Sequence, residues 1–274
     1  MRFYIILFLS FATFLNSCST NNVDNDESLK KYFDDNKVTG TFGLFDNGKG
    51  RFTVYNIARF SDSAYTPAST FKIINSLIGL ETGVVKNDSA IIKWDSVTRS
   101  REECNKDLYM VDAFRISCVP WYRELARRIG KPTMQHYLDT IGYAAKNGRF
   151  VIKNNLDSFW LDNTAKVTSD EQLGMVKKLY FSQLPFQKRT QELVIKMMKM
   201  ESNSNYSLSF KTGWGTTASG SQLGWIIGWI EENQHPYFFT LQIESANKDI
   251  DIRNVRLTML KEILKHLGFM EGKK

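Results

Sequence analysis

Strand-forming segments stand at both ends of this chain, and a long stretch of helical pattern separates them. Near the start, residues 41–45 and 51–55 are β-rich runs that flank Asp46-Asn47-Gly48-Lys49-Gly50, a strong turn signal, so 39–55 reads as a hairpin. Near the end, residues 206–212, 222–232 and 237–244 read as three more strands, the last two joined through Asn233-Gln234-His235-Pro236. From Ser69 to about Ser202 the pattern is mainly helical. Within it, Thr168-Ser169-Asp170-Glu171 matches a capping box, with Leu173, Val176, Leu179 and Tyr180 following at helical spacing. Residues 253–267 form a closing amphipathic helix with Leu257, Leu260, Leu264 and Leu267 on one side, stopped by Gly268. This order predicts an α+β fold of two lobes. One lobe is an antiparallel sheet of five or more strands flanked by N- and C-terminal helices; the other is an inserted all-helical lobe. A cleft between sheet edge and helical lobe is the natural place for a site. The 274 residues, 42% hydrophobic with 19 Phe, 11 Tyr and 6 Trp, suffice for one sizeable core, and no repeat or internal linker divides them.

The N-terminus carries a different signal. Arg2 precedes an almost wholly apolar run over 4–15, and Asn16-Ser17-Cys18 follows. The run is too short to span a bilayer comfortably as a permanent helix and reads as a signal peptide. Leu15-Asn16-Ser17-Cys18 resembles a bacterial lipobox, which predicts a lipoprotein signal over 1–17 and lipidation of Cys18. Asn16 is less usual there than Ala or Ser, and a plain secretory peptide is the alternative. Residues 18–35, largely polar, are expected to be a flexible tether and 36–274 a single domain. The protein is then exported, periplasmic and anchored to the membrane by its lipid. The net charge of +7 could serve nucleic acid, but the basic residues are dispersed among acids, so no nucleic-acid partner is expected. In an oxidising compartment a disulfide between Cys104 and Cys118 is allowed. The favoured reading is two small buried hydrophobes, because sequence does not show whether their Cα atoms come close enough.

Chemistry begins at Pro67-Ala68-Ser69-Thr70-Phe71-Lys72. Ser69 and Lys72 stand three apart, a spacing that stacks both side chains on one helix face. Pro67 and Ala68 place the helix start at or just before Ser69, where free N–H groups favour the oxyanion of an attacked carbonyl. Ile73, Ile74, Leu77 and Ile78 make this helix apolar nearly all round, so it is expected to be buried. Burial pushes a lysine amine toward its neutral form, which can act as a base or react with carbon dioxide. Alone, Ser-x-x-Lys is better explained by a surface helix capped by serine. Two further matches in chain order change that. Ser117-Cys118-Val119 lies in an apolar segment, and Lys211-Thr212-Gly213 ends a strand just before Trp214-Gly215. Lys211 and Thr212 offer a cation and a hydroxyl to a substrate carboxylate, and Gly213 would let a substrate approach closely. Together the three motifs follow the pattern of penicillin-recognising serine enzymes.

The resemblance is more specific than that. Ser69-Thr70-Phe71-Lys72, Ser117-Cys118-Val119, Phe159-Trp160-Leu161, Lys211-Thr212-Gly213-Trp214, the run Gly224-Trp225-Ile226-Ile227-Gly228-Trp229-Ile230-Glu231 and the Trp94 neighbourhood all look like class D serine β-lactamases. The likeness runs from about Gly40 to Gly268. Class A enzymes would carry Ser-Asp-Asn where this chain has Ser117-Cys118-Val119. One departure is Tyr143-Ala144-Ala145, where the family often has Tyr-Gly-Asn.

The resemblance implies that Ser69 is the nucleophile and that Lys72 is N-carboxylated by carbon dioxide, its carbamate the general base. It implies that Val119 and Leu161 wall that carbamate and that Trp160 bonds it. Ser117 would shuttle a proton to the leaving nitrogen. The backbone N–H groups of Ser69 and Trp214 would form the oxyanion hole, and Lys211, Thr212 and Arg256 would hold the substrate carboxylate, with Arg253 as the competing choice. No metal and no cofactor other than carbon dioxide is implied. The expected activity is hydrolysis of β-lactam antibiotics such as penicillins and oxacillin, conferring resistance. The alternatives are a β-lactam sensor or a transpeptidase-like domain that stays acylated. A sensor should carry several membrane spans and a transpeptidase additional domains, and neither pattern is read here. The residues set neither the oligomeric state nor the preferred β-lactam.

Overall fold

The computed structural model describes residues 22–274; the expected signal peptide and Cys18 lie outside the described residues. Seven strands form the main sheet: β1 (Val23–Asn25), β2 (Thr39–Asp46), β3 (Arg51–Tyr55), β6 (Lys199–Ser202), β7 (Ser207–Thr216), β8 (Gln222–Glu232) and β9 (His235–Ser245). Their spatial order is β1-β3-β2-β9-β8-β7-β6. The β2–β3 hairpin closes where expected, with Asp46 opposite Arg51. The Asp46 carboxylate accepts the amides of Gly48 and Lys49 at 2.9 and 3.0 Å, so the turn residues supply their own closure. Between β8 and β9 only Asn233 and Gln234 remain unpaired, at φ 49 and 64, the left-handed pair of a tight hairpin turn. The two ends of the chain meet at β2 and β9, which pair from Thr39↔Glu244 to Asp46↔Tyr237.

Both faces of the sheet are covered, so β8 and β9 are buried almost residue by residue rather than alternately. On one face lie α1 (Lys30–Asp35) and α9 (Ile252–His266), packing Leu29, Phe33, Leu260 and Ile263 against Ile226, Leu241 and Ile243. On the other lie α7 (Ser169–Tyr180) and the helical lobe, whose core includes Leu173, Val176, Trp225, Ile227 and Trp229. That lobe holds α3 (Lys72–Glu81), α4 (Met110–Arg115), α5 (Val119–Ile129), α6 (Lys131–Ile141) and α8 (Lys188–Met198). The short helix α2 (Ile57–Asp62) packs beside β2. The capping box forms as read: Thr168 caps Glu171, and Glu171 returns a bond to the Thr168 amide.

Four expectations are corrected. Residues 22–35 are not a flexible tether. β1 pairs with β3, and α1 is held down because Leu29 and Phe33 are fully buried against the sheet. The sheet is not wholly antiparallel, since β1 runs parallel to β3. The inserted lobe is not all helical: β4 (Ile91–Ile92) and β5 (Leu108–Tyr109) pair within it, and β6 adds an edge strand just before β7. Cys104 and Cys118, read as separate buried thiols, form a disulfide, their Cα atoms 5.8 Å apart.

Candidate active site

Ser69 stands in a short 3-10 turn, Ala68–Phe71, that runs directly into α3. The turn is fastened from three sides. Thr70 Oγ donates to the Pro67 carbonyl at 2.8 Å and accepts Gln172 Nε2 of α7 at 2.7 Å. Thr66 Oγ donates to the Trp160 carbonyl at 3.0 Å, and Trp225 Nε1 of β8 donates to the Thr66 carbonyl at 3.0 Å. β7 closes the third side. A Cβ on Gly213 would lie 3.0 Å from the Pro67 carbonyl oxygen and 3.2 Å from the Thr70 methyl. The missing side chain therefore makes room for the serine turn, not for a substrate as the sequence suggested. Ala68, just before Ser69, is held at φ 49, a strained conformation that these contacts impose.

Lys72 begins α3, a helix buried over almost its whole length, and has no exposed surface. Its Nζ lies 2.6 Å from Ser69 Oγ, donating to it. Burial, with the positive charge of Arg101 second, lowers the amine from 10.5 to about 7. No carboxylate offsets this among the described residues. At neutral pH a large share of the amine is therefore unprotonated beside the serine it contacts. Trp160 is also fully buried and stacks on Phe71 at 5.1 Å. Its indole N–H has no acceptor. A buried donor left unpaired is costly and points to a group that it is shaped to receive.

Ser117 lies at the end of α4. The Cys118 amide bonds the Ala113 carbonyl at 2.8 Å and the Ser117 amide bonds the Phe114 carbonyl at 3.1 Å. This is a Schellman closure with Ser117 in the left-handed position at φ 62. Gly142 and Gly268 fill the same position after α6 and α9. Glycine suits the backbone at 117; the hydroxyl is what serine adds, and it accepts Lys211 Nζ of β7 at 3.0 Å. Lys211 is 3% exposed. Burial first, then the charges of Lys72, Arg256 and Arg101, hold its amine well below the usual lysine range.

These groups meet at a groove of about 1030 Å³, lined by Ser69, Ser117, Val119, Leu161, Thr212 and Trp214 among others. Arg256 and Arg253 of α9 both line it. Arg256 is buried, donates to the Gly213 carbonyl, and is lowered to about 10 by burial and then by Arg253. Its Nε has no partner. Arg253 is exposed and lies 5.3 Å over the Trp214 ring. After α6, Ala144 sits at φ 56 and Tyr143 is buried against Phe71, ring centroids 5.4 Å apart. Among the described residues no cluster of His, Cys, Asp and Glu could hold a metal ion.

Thr66, Gln172, Trp225 and Arg101 were not assigned a part by sequence reasoning. Gln172 and Thr66 carry no motif, and only the fold brings them to the serine turn. Trp225 belongs to the recognised Gly224–Glu231 run, but nothing in that run told that its N–H reaches Thr66.

A serine whose neighbouring base is a buried lysine, with a second serine bonded to a strand lysine across the groove, is the chemistry of penicillin-recognising serine acyl-transfer enzymes. The penicillin binding protein transpeptidase domain family matches residues 22–265. The chain is 35% identical to β-lactamase OXA-48 of Klebsiella pneumoniae over 240 residues, 88% of each chain. A solved class D β-lactamase from Nostoc superposes with a TM-score of 0.82 at 36% identity, covering 88% of this chain and 99% of that one. Another, from Sebaldella termitidis, gives 0.85 at 30% identity, covering 92% and 100%. The chain belongs to the class D serine β-lactamases.

Proposed function

We propose that the protein hydrolyses β-lactam antibiotics through an acyl-enzyme on Ser69, with carboxylated Lys72 as general base, and so confers resistance. The observation that carries this is the 2.6 Å contact between Ser69 Oγ and an amine lowered to about 7 by burial. Lys72 relieves Ser69 of its proton as Oγ adds to the lactam carbonyl carbon, whose oxygen is received by the backbone N–H groups of Ser69 and Trp214. The lactam C–N bond breaks, and the ring nitrogen takes a proton delivered through the Ser117 hydroxyl that Lys211 bonds. Lys211, Thr212 and Arg256 hold the substrate carboxylate, the planar guanidinium matching it in shape. Water then adds to the ester carbonyl, Ser69 regains its proton, and the opened acid leaves.

The site fits a carboxylated lysine. A neutral buried amine is the form that reacts with carbon dioxide, Val119 and Leu161 give the pocket apolar walls, and the unpaired Trp160 N–H is the donor that would hold the group. When present, the carbamate would supply an anionic oxygen base able to activate water as well as serine. Enzyme held in degassed buffer near pH 6 should start slowly and recover on adding bicarbonate, and labelled bicarbonate should give a carbamate carbon resonance that Trp160→Ala weakens. No rescue and no resonance would leave Lys72 a plain amine. A single burst of penicillin opening without turnover, with or without bicarbonate, would favour a sensor or transpeptidase instead.

The mature enzyme is exported to the periplasm and tethered to the membrane by lipid on Cys18, a reading supported by the lipobox-like Leu15-Asn16-Ser17-Cys18. Cys18→Ser should release activity from the membrane fraction or leave the chain unprocessed. Wild-type protein found wholly soluble would refute the anchor.

A further inference from the structure

The groove carries more positive charge than one substrate carboxylate explains. Seven arginines line it, with Glu103 the one acid among its lining residues. Most of these arginines are already engaged. Arg99 is bonded by Asp95 at 2.5 Å and Arg127 by Asp157 at 2.5 Å. Arg256 donates to Gly213, Arg253 covers Trp214, and Arg101 faces Glu103 at 3.7 Å. Arg115 and Arg123 make no hydrogen bond or ion pair among the described residues.

Their placement is specific. Arg115 ends α4 and Arg123 lies in the second turn of α5, so the two bracket Ser117 to Val119. They stand on the helical bank of the groove, while Lys211, Thr212 and Arg256 belong to the sheet bank. The disulfide from Cys104 to Cys118 fixes the neighbouring loop to this helical bank. An exposed arginine is ordinarily a solvated surface charge. Here each surrounding arginine is engaged by an acid, a backbone carbonyl or an aromatic ring and these two are not, although they share a concave wall with other cations. Like charges gathered without counter-charge repel, and a concave wall concentrates their field on whatever enters.

We infer that Arg115 and Arg123 form a subsite for a second negative charge, so that the enzyme favours β-lactams bearing an anionic substituent besides the ring carboxylate. This rests on the reading of Ser69 as the acylated residue. Two guanidiniums lining one bank of the groove suit a carboxylate or sulfonate, and their selectivity is felt in substrate capture more than in the chemical step.

The test is the second-order rate of Ser69 acylation, followed by intact mass and by substrate absorbance. Benzylpenicillin is compared with its α-carboxy counterpart, and a neutral cephalosporin 3-substituent with an anionic one. Arg115→Gln with Arg123→Gln should lower the dianion-to-monoanion rate ratio about fivefold in at least one pair, while monoanion rates change less than about twofold. In the wild type the same ratio should fall as salt is raised to about 0.5 M, where screening is short-ranged. Ratios unmoved by both the double variant and salt would overturn the subsite. Monoanion rates that fall as far as dianion rates would also overturn it, because the arginines would then serve the ring carboxylate or the fold. If the wild type is acylated by none of the four compounds, the Ser69 reading fails and takes the subsite with it.

Discussion

Lys72, the proposed base, burdens the fold. Its amine is lowered to about 7, whereas an unfolded chain would hold the ordinary 10.5. Between those values the unfolded chain binds a proton that the folded one does not. Stability therefore rises with pH across that window. Below about pH 7 both states are protonated and the full penalty is present; above about 10.5 both are neutral and it vanishes. Lys72→Met, which keeps the length and removes the charge, should be inactive yet more stable than wild type by about 2–4 kcal/mol at pH 7 in degassed buffer. Urea denaturation at pH 7 and again near pH 10 checks this. The gain should shrink at the higher pH, and a variant no more stable than wild type at pH 7 would show that the amine is not held in an unfavourable state. The arrangement also places an amine beside Ser69 without a histidine: the turn that presents the serine brings Lys72 with it.

With the role proposed for Ser117, the helix end that carries it is an element yielding local stability to chemistry. A left-handed residue closes α4, and a side chain there is strained by about 1 kcal/mol relative to glycine. Ser117→Gly and Ser117→Ala both lose the hydroxyl that Lys211 bonds, so both should lose most turnover. Glycine should nevertheless melt higher, by about 1 kcal/mol in stability, because only it relaxes the backbone. Equal stability in the two variants would mean that φ at this position is not strained. Elements of this kind divide by how far the sequence shows them. The β2–β3 turn, the Thr168 capping box and the strands β7 to β9 are written in local residue types. So is the pairing of Ser69 with Lys72, which needs only a helical turn. β1 was not legible, because Val23-Asp24-Asn25 has almost no apolar content and is ordered by the edge of β3. The disulfide and the Gln172–Thr70 bond, whose partners lie 102 positions apart, depend on distances that only the assembled lobe defines. Trp160 lay in a recognised motif, yet its unpaired N–H emerges only when every neighbouring acceptor is accounted for.

At the scale of the whole molecule, the sheet is joined from the chain's two ends. Thr39 bonds Glu244 across 205 positions, and Ser28 of the first segment reaches His266 of α9 at 3.1 Å across 238. The helical lobe is an insertion between these ends. Ser69 comes early in the chain, but the strand lysine, the Trp225 N–H that ties its turn and Arg256 all come late. A chain ended after Thr216 would lack β8, β9 and α9, leaving β2 and β7 without partners between them. It should show no cooperative urea transition and no acylation by penicillin, and a folded, acylated fragment would contradict this dependence. Long-range pairing is slow to form, since a large loop must close before its contacts reward it. During synthesis Ser69 is therefore made early, and the strands that fasten its turn come last. Until the final strands leave the ribosome, the sheet lacks the two members that join its halves, and its closure waits on the last part of the chain to be made.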